Sequence, residues 1–420
     1  MYYQRRIEQT LQNMATSFPV LMLTGPRQVG KSTLLTRMAD DNRKIVSLDN
    51  PTVRALAKTD PELFLQRYSP PVLIDEVQYA PELFDYIKIY VDAHKQNGDF
   101  WLTGSQTFHL MNKVTESLAG RVGVARMLGL SSSEIEGNLL PEFRIEQKEL
   151  LKRFDIAQPM NLAEIFTRIF RGSMPRLYEA PNTKVSEYYE SYLETYISRD
   201  IKGLSQVADE LSFLNFIAIV AARTATTVNY DTLAKEAGVT SPTAKRWLSI
   251  LVSSGLVALV PAYANNALKR AVKAPRMYFL DTGLCAYITR WSSAEVLEQG
   301  AMGGPFFETW VVSEITKSYI NNGIRPPLFY YRDSNKKEID LIIARDGAIH
   351  PIEIKKGTSP KNATSAFSAL KPVELAPSKE DIFAGAAHLK TAIGMGAVVC
   401  LTPDMIPVDR KNWLIPAWII

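Results

Sequence analysis

Residues 19–38, "PVLMLTGPRQVGKSTLLTRM", read as a buried strand, a glycine-bounded loop and a helix. The loop and first helical turn, Gly25-Pro26-Arg27-Gln28-Val29-Gly30-Lys31-Ser32, fit G-x-x-x-x-G-K-[ST], and Thr33 follows. Glycine at both ends lets the backbone wrap an anion with its own N–H groups, at dihedrals other residues resist. The helix behind it aims the positive end of its dipole at the same point. In such a cradle Lys31 bridges the β- and γ-phosphates and the Ser32 hydroxyl ligates Mg²⁺. The expected ligands are ATP and magnesium.

Two further apolar segments carry polar groups where a strand ends. "PPVLIDEVQYAPEL" (70–83) closes a strand with Asp75 and Glu76. Asp75 is placed to hold Mg²⁺ through water, and Glu76 to orient and deprotonate the attacking water. "DFWLTGSQ" (99–106) puts Thr103 and Ser105 at the C-terminal end of a third strand, where ligands sit in such sheets, so either is a candidate sensor of the γ-phosphate. Arg121 follows a small-residue loop in "TESLAGRVGVARML" (115–128). It is a candidate catalytic arginine, acting in cis or on a neighbouring subunit's nucleotide; a surface ion pair is the other reading.

At 420 residues the chain exceeds one hydrophobic core. Its 46% hydrophobic and 22% charged content is that of a soluble globular protein, which argues against wholesale disorder. A net charge of +4, from 48 basic and 44 acidic residues, permits a nucleic-acid partner without demanding one. Cys285 and Cys400, far apart in apolar runs, read as buried thiols in a reducing cytoplasm. The four histidines show no ligand spacing, so zinc is not expected. The N-terminus has no apolar signal core, and the longest apolar run, 213–222, is too short to span a bilayer. A cytoplasmic protein without a membrane partner is expected.

The middle of the chain changes rhythm, with polar, proline-containing stretches near 140–165. Tyr188, Tyr192 and Tyr196 fall at helical spacing, as a packed helix requires. Arg199 and Asp200 close that segment, either engaging a neighbouring nucleotide or as a helix-end ion pair. "YDTLAKEAGVTSPTAKRWLSILVSSGLVALV" (230–260) reads as helix, Gly238 turn, longer helix and strand. With the basic loop and strand after it, this makes a winged helix. Lys245, Arg246, Lys269, Arg270 and Lys273 are then candidate phosphate contacts, or a solvated basic face.

Further on, "GGPFFETWVVSEITKSYIN" (303–321) is a helix carrying Glu308, and "EIDLIIARDGAIHPIEIKKG" (338–357) is two strands. Helix with acid, strand, strand opening on Asp340, strand with Glu353-Ile354-Lys355 is the order of the PD-(D/E)xK nuclease core. Asp340 and Glu353, on adjacent strands, can reach one Mg²⁺, and Glu308 can complete the site. Strand alternation puts Lys355 on the face of Glu353, where it orients water or steadies charge on a scissile phosphate. Arg332 is placed to grip a phosphate or to neutralise the acids. A meander with solvated charges is the plainer reading.

In this order, "GPRQVGKSTLL", "VLIDEVQ", "LTGSQ", "SLAGRV", "RGSMPRLYE", "YLETYISRDI", "YFLDTGL", "FFETWV" and "EIDLII…IEIKKG" resemble a prokaryotic AAA+ ATPase family with a C-terminal DUF4143 domain. The resemblance covers nearly the whole chain. It implies an ATP-binding AAA+ core and a nuclease-like C-terminal domain; with the residue reading above, the expected α/β fold has four parts: a P-loop NTPase parallel-sheet domain at 1–140, a helical lid at 141–225, a winged helix-turn-helix at 226–295 and a restriction-endonuclease-like domain at 296–420. Catalytic roles for Lys31, Glu76, Ser105, Arg121, Asp340, Glu353 and Lys355 follow on that reading. The resemblance implies no defined cellular role; the leading expectation is ATP hydrolysis in a homo-oligomer, coupled to binding or cleaving DNA, with DNA processing or defence following from the architecture by analogy. The alternative is a nucleotide-dependent switch that binds a protein or DNA partner without cleavage.

Overall fold

Every residue of β1 (Val20–Gly25) is buried, the mark of a strand covered on both faces. The computed structural model describes residues 2–105, 114, 116–196, 210–264, 273–333, 335, 337–372 and 391–420, with backbone alone at Ser105 and Tyr196. Arg199, Asp200, Lys269, Arg270 and the Ser105 side chain lie outside the described residues and atoms.

β1 runs parallel to β4 (Phe100–Ser105) on one side and β5 (Val122–Arg126) on the other. With β2 (Lys44–Ser47) and β3 (Val72–Asp75) they form a parallel five-stranded sheet in the order β2-β3-β4-β1-β5. Alternation along β1 divides its side chains between two cores. Leu21 and Leu23 join one with Leu34, Phe166 and Trp247; Val20 and Met22 join another with Val46, Ile74 and Leu102. Since the strands point the same way, β1, β3 and β4 open on one edge of the sheet, which is where the phosphate loop lies.

A helical segment follows, with helices Leu162–Arg171, Pro175–Glu179, Val185–Tyr196 and Glu210–Ala222. Here "RGSMPR" and "YFLDTGL" meet: the Asp281 carboxylate accepts from the Ser173 N–H at 2.8 Å, the Ser173 hydroxyl at 2.6 Å and the Tyr189 hydroxyl at 2.7 Å. Helices Tyr230–Ala237 and Ser241–Ser253 come next. Asn229 and Thr240 cap their N-termini, and Gly238, at φ 68°, makes the left-handed turn between them. An antiparallel sheet, β6 (Thr226–Thr227), β8 (Arg276–Phe279) and β7 (Val257–Val260) in that order, packs beside this pair.

The last segment packs helix Gly303–Ile320 on a mixed sheet. β9 (Leu328–Arg332), β10 (Glu338–Arg345) and β11 (Ala348–Ile354) are antiparallel, and β11, β13 (Gly396–Cys400) and β15 (Asn412–Pro416) are parallel. A short β12 (Ala392–Ile393) lies beside β11, and β14 (Ile406–Pro407) edges β15. Leu23, Trp247, Trp310 and Ile352 belong to one continuous core, so the three segments share apolar packing. Both cysteines are buried and free, and no described helix is long and apolar enough to cross a membrane.

Candidate functional site

The phosphate loop is fixed by what surrounds it. A Cβ on Gly25 (φ +149°) would sit 2.0 Å from the Met127 carbonyl oxygen, so only glycine fits. Gly30, at φ 95°, starts the helix Lys31–Met38. Gln28 is left-handed at φ 60°, a conformation non-glycine residues resist, and its Oε1 accepts from the Tyr188 hydroxyl at 2.8 Å. Arg27 and Thr33 line the same cleft, while Val29 turns into the core. Lys31 is buried, and its Nζ donates to the carbonyls of Gly25 at 3.0 Å and Pro26 at 2.7 Å.

Across the loop, the Ser32 hydroxyl donates to Asp75 Oδ1 at 2.5 Å, and the Thr103 hydroxyl donates to the same oxygen. Glu76 follows at φ 58°; its N–H donates to Thr103 Oγ1 at 3.3 Å and its carboxylate accepts from the Gln78 amide. Thr103 therefore ties the two acids together, the position for which Ser105 is the other candidate. A hydroxyl already touching a carboxylate is a hard-oxygen donor set that suits Mg²⁺, so Ser32 and Asp75 fit that ion. The cleft above them, about 360 Å³, is bounded by Lys31, Ser32 and Glu76 and, from the helical segment, by Arg176 and Glu179. Arg176 is a residue the sequence does not single out; the available signal is an arginine directly after Pro175, which starts a helix.

Within the chain, Arg121 takes the surface-ion-pair reading. Its carbonyl accepts from Val20 N–H at 3.1 Å, at the start of β1, whereas the loop leaves from the strand's end at Gly25. The guanidinium is bidentate on Asp92, at 2.5 and 2.9 Å. In cis it stands on the wrong edge of the sheet to touch its own nucleotide, and within the chain it makes the surface ion pair.

Lys245 and Arg246 are exposed on helix Ser241–Ser253. Lys273 Nζ donates to the Arg332 carbonyl at 3.2 Å, while the Arg332 guanidinium lies 3.9 Å from Glu338.

The register of β10 on β11 explains the second cluster. Leu341 pairs with Ile352, so one step further Asp340 and Glu353 stand opposite each other. Lys355 Nζ lies 2.7 Å from Glu353 Oε1 and 3.3 Å from Asp340 Oδ2, and the Ile354 N–H donates to Asp340 Oδ2 at 3.0 Å. Glu308 arrives from helix Gly303–Ile320 and accepts from the Tyr278 hydroxyl at 2.8 Å. Burial first, and then the charge of Asp340, pushes the carboxyls of Glu308 and Glu353 up to about 7.

A guanidinium stands among these acids. Arg276, which the sequence does not single out, puts Nη1 3.3 Å from Glu308 and 3.5 Å from Asp340, and Nη2 2.6 Å from Glu338. Among the described residues, no three His, Cys, Asp or Glu are grouped to hold a metal ion. As arranged, Glu308 and Asp340 pair with the Arg276 guanidinium and Asp340 and Glu353 with the Lys355 ammonium, while Glu353 Oε2 is buried without a hydrogen-bond partner.

Residues 17–136 match an AAA domain. The AAA domain thus contains the phosphate loop, the Asp75–Glu76 strand end and Thr103, and it makes the front of the chain an ATPase-type domain. Behind it, residues 162–295 match a domain of unknown function (DUF8612) and residues 303–420 another (DUF4143). The first of these runs across residues 225–226, where the sequence suggests a boundary. Among curated proteins, the chain is 27% identical to uncharacterised protein Rv2008c of Mycobacterium tuberculosis, over 85% of this chain and 75% of that one, and equally to Mb2031c of Mycobacterium bovis. Solved structures give distant likenesses. A RuvB variant of Thermotoga maritima is 17% identical with a TM-score of 0.31, covering 61% of this chain and 89% of its own. A signal transduction ATPase (STAND) protein of Pyrococcus horikoshii is 11% identical with a TM-score of 0.28, covering 77% and 48%.

Proposed function

We propose that this chain hydrolyses ATP at the AAA domain and uses the cycle to reposition a DNA-contacting middle segment and a nuclease-like C-terminal domain. The observation that carries the hydrolytic part is the convergence of Ser32, Thr103 and Glu76 on Asp75, beside the Lys31 cradle. Loop N–H groups hold the phosphates, and Lys31 exchanges the Gly25 and Pro26 carbonyls for phosphate oxygens. Glu76 takes the proton of the attacking water, and Thr103 keeps Glu76 and Asp75 in register. Ser32 and Asp75 would hold the magnesium ion, whose charge neutralises the phosphate oxygens when the nucleotide is bound. Arg176 at the cleft rim is the residue through which the helical segment reads the nucleotide.

The helix, strand, helix, turn, helix and two-strand succession in the middle segment supports a winged helix, with Lys245, Arg246 and Lys273 toward DNA phosphates. Helix, antiparallel β9-β10-β11 and parallel β13, with Asp340 opposite Glu353, support a nuclease-like C-terminal fold. Of the two readings of that domain, binding without cleavage is favoured by the guanidinium among its acids. Within the chain Arg121 is held by Asp92, so a homo-oligomer would have to release it before it could serve a neighbouring subunit's nucleotide. The test is ATP turnover with and without duplex DNA. DNA should raise the rate, and the double change Lys245→Ala, Arg246→Ala should remove the rise while sparing the DNA-free rate. A rate indifferent to every DNA form would sink the DNA part of the reading.

A further inference from the structure

Arg276 is the first residue of β8, inside the DUF8612 match, yet its guanidinium serves three acids of the DUF4143 match: Glu308, Glu338 and Asp340. Its side chain is 8% exposed, against 51% for Arg332 nearby, so it is held rather than solvated. Two residues on, Tyr278 donates its hydroxyl to the same Glu308 oxygen, because strand alternation places 276 and 278 on one face. The guanidinium also lies 5.2 Å from the Tyr330 ring centroid, a cation–π contact from β9. An aromatic ring and three carboxylates thus surround the guanidinium, its two Nη atoms facing the acids and its Nε buried without a partner.

Arg276 Nη1 stands between Glu308 and Asp340, where a divalent ion shared by the two would have to sit. Mg²⁺ requires oxygens at about 2.0–2.1 Å in near-octahedral geometry, whereas these carboxylates are spread around nitrogens. β8 cannot leave alone, since it is hydrogen-bonded to β6 and β7 and its Met277, Tyr278 and Phe279 lie in the core. We propose that Arg276 is the resident cation of the acid cluster, a plug delivered by the middle segment that closes the nuclease-like site to divalent metal while β8 is docked. This deepens, and rests on, the nuclease-like reading of the C-terminal domain.

The probe is Mn²⁺, titrated into the full nucleotide-free chain and followed by electron paramagnetic resonance of the free ion. An Asp75→Asn background removes any uptake by the phosphate loop. With Arg276 present, no site should fill at concentrations up to about 100 μM, within the range of ordinary sensor and extracellular cation sites. Arg276→Met should create one site that Asp340→Asn abolishes, while Arg276→Lys, which keeps a cation, should stay closed. Uptake by the Arg276-intact chain that Asp340→Asn removes would overturn the plug, and this arm does not depend on Arg276→Met folding. A folded Arg276→Met chain that takes up no Mn²⁺ would instead show that the acids are no metal site in either form, removing the nuclease-like premise.

Discussion

Tyr188, on a helix outside the AAA match, donates its hydroxyl to Gln28 Oε1 at 2.8 Å, inside the phosphate loop. A residue in the left-handed region is thus steadied by a helix that lies outside the AAA match. Tyr188→Phe keeps the ring packing and removes one hydrogen bond, about 1 kcal/mol in stability. Since 1.4 kcal/mol corresponds to about a factor of ten, it should weaken ATP-analogue binding less than about 10-fold, as fluorescence titration would show. Undiminished affinity would mean that the loop holds its shape unaided.

A second contact crosses the same boundary. Gly255, at φ +77°, ends the turn after helix Ser241–Ser253, and a Cβ there would lie 2.9 Å from Pro26 Cγ and 3.1 Å from Arg126 Nη2. Arg126 in turn donates to the Val252 carbonyl at 3.4 Å. Gly255→Ala meets both a strained dihedral and a crowded neighbour, and should cost about 1–3 kcal/mol by denaturant titration. It should also lower ATP affinity, since the loop must yield; a variant destabilised but normal in nucleotide binding would separate the two segments.

Glu76→Gln leaves the cradle, Ser32 and Asp75 untouched. ATP binding should persist while turnover falls by about 10²–10⁴-fold, the range for loss of a general base. Loss of binding instead would assign Glu76 a structural role.

The acid cluster predicts a pH dependence. Glu308 and Glu353 titrate at about 7 in the folded chain against 4.5 ordinarily, burial being the larger cause and Asp340 the second. Between these values the folded state binds more protons than the unfolded, so this contribution to stability is complete below 4.5 and is lost as pH rises through 7. Glu353→Gln should shrink the difference in denaturation midpoint between acid and neutral solution. An unchanged difference would mean that Glu353 is charged throughout, held so by Lys355.

The parts legible in the sequence are those with a local cause. Gly25, Gly30, Lys31 and Ser32 sit in one short loop, Asp75 and Glu76 end a strand, and the alternation of β11, continued one residue past its end, puts Lys355 beside Glu353. What escapes is choice of partner. Arg276 looks like part of the basic approach to a strand; nothing within "PRMYF" says that acids more than thirty residues downstream will close around it. Helical spacing makes Tyr188 a packing residue, which is right for its ring and silent about its hydroxyl. Arg121 is an arginine after a small-residue loop, and only the parallel register of β5 on β1 reveals which end of the sheet it occupies.

The most direct measurement of the central claim is steady-state ATP turnover by the chain and by Lys31→Ala, with magnesium present. Turnover by the native chain, and a fall of about 100-fold or more in the variant, is the outcome that electrostatic stabilisation by Lys31 requires. Equal rates in the two proteins would contradict it, and with it the assignment of the Gly25–Ser32 loop as the site of ATP hydrolysis.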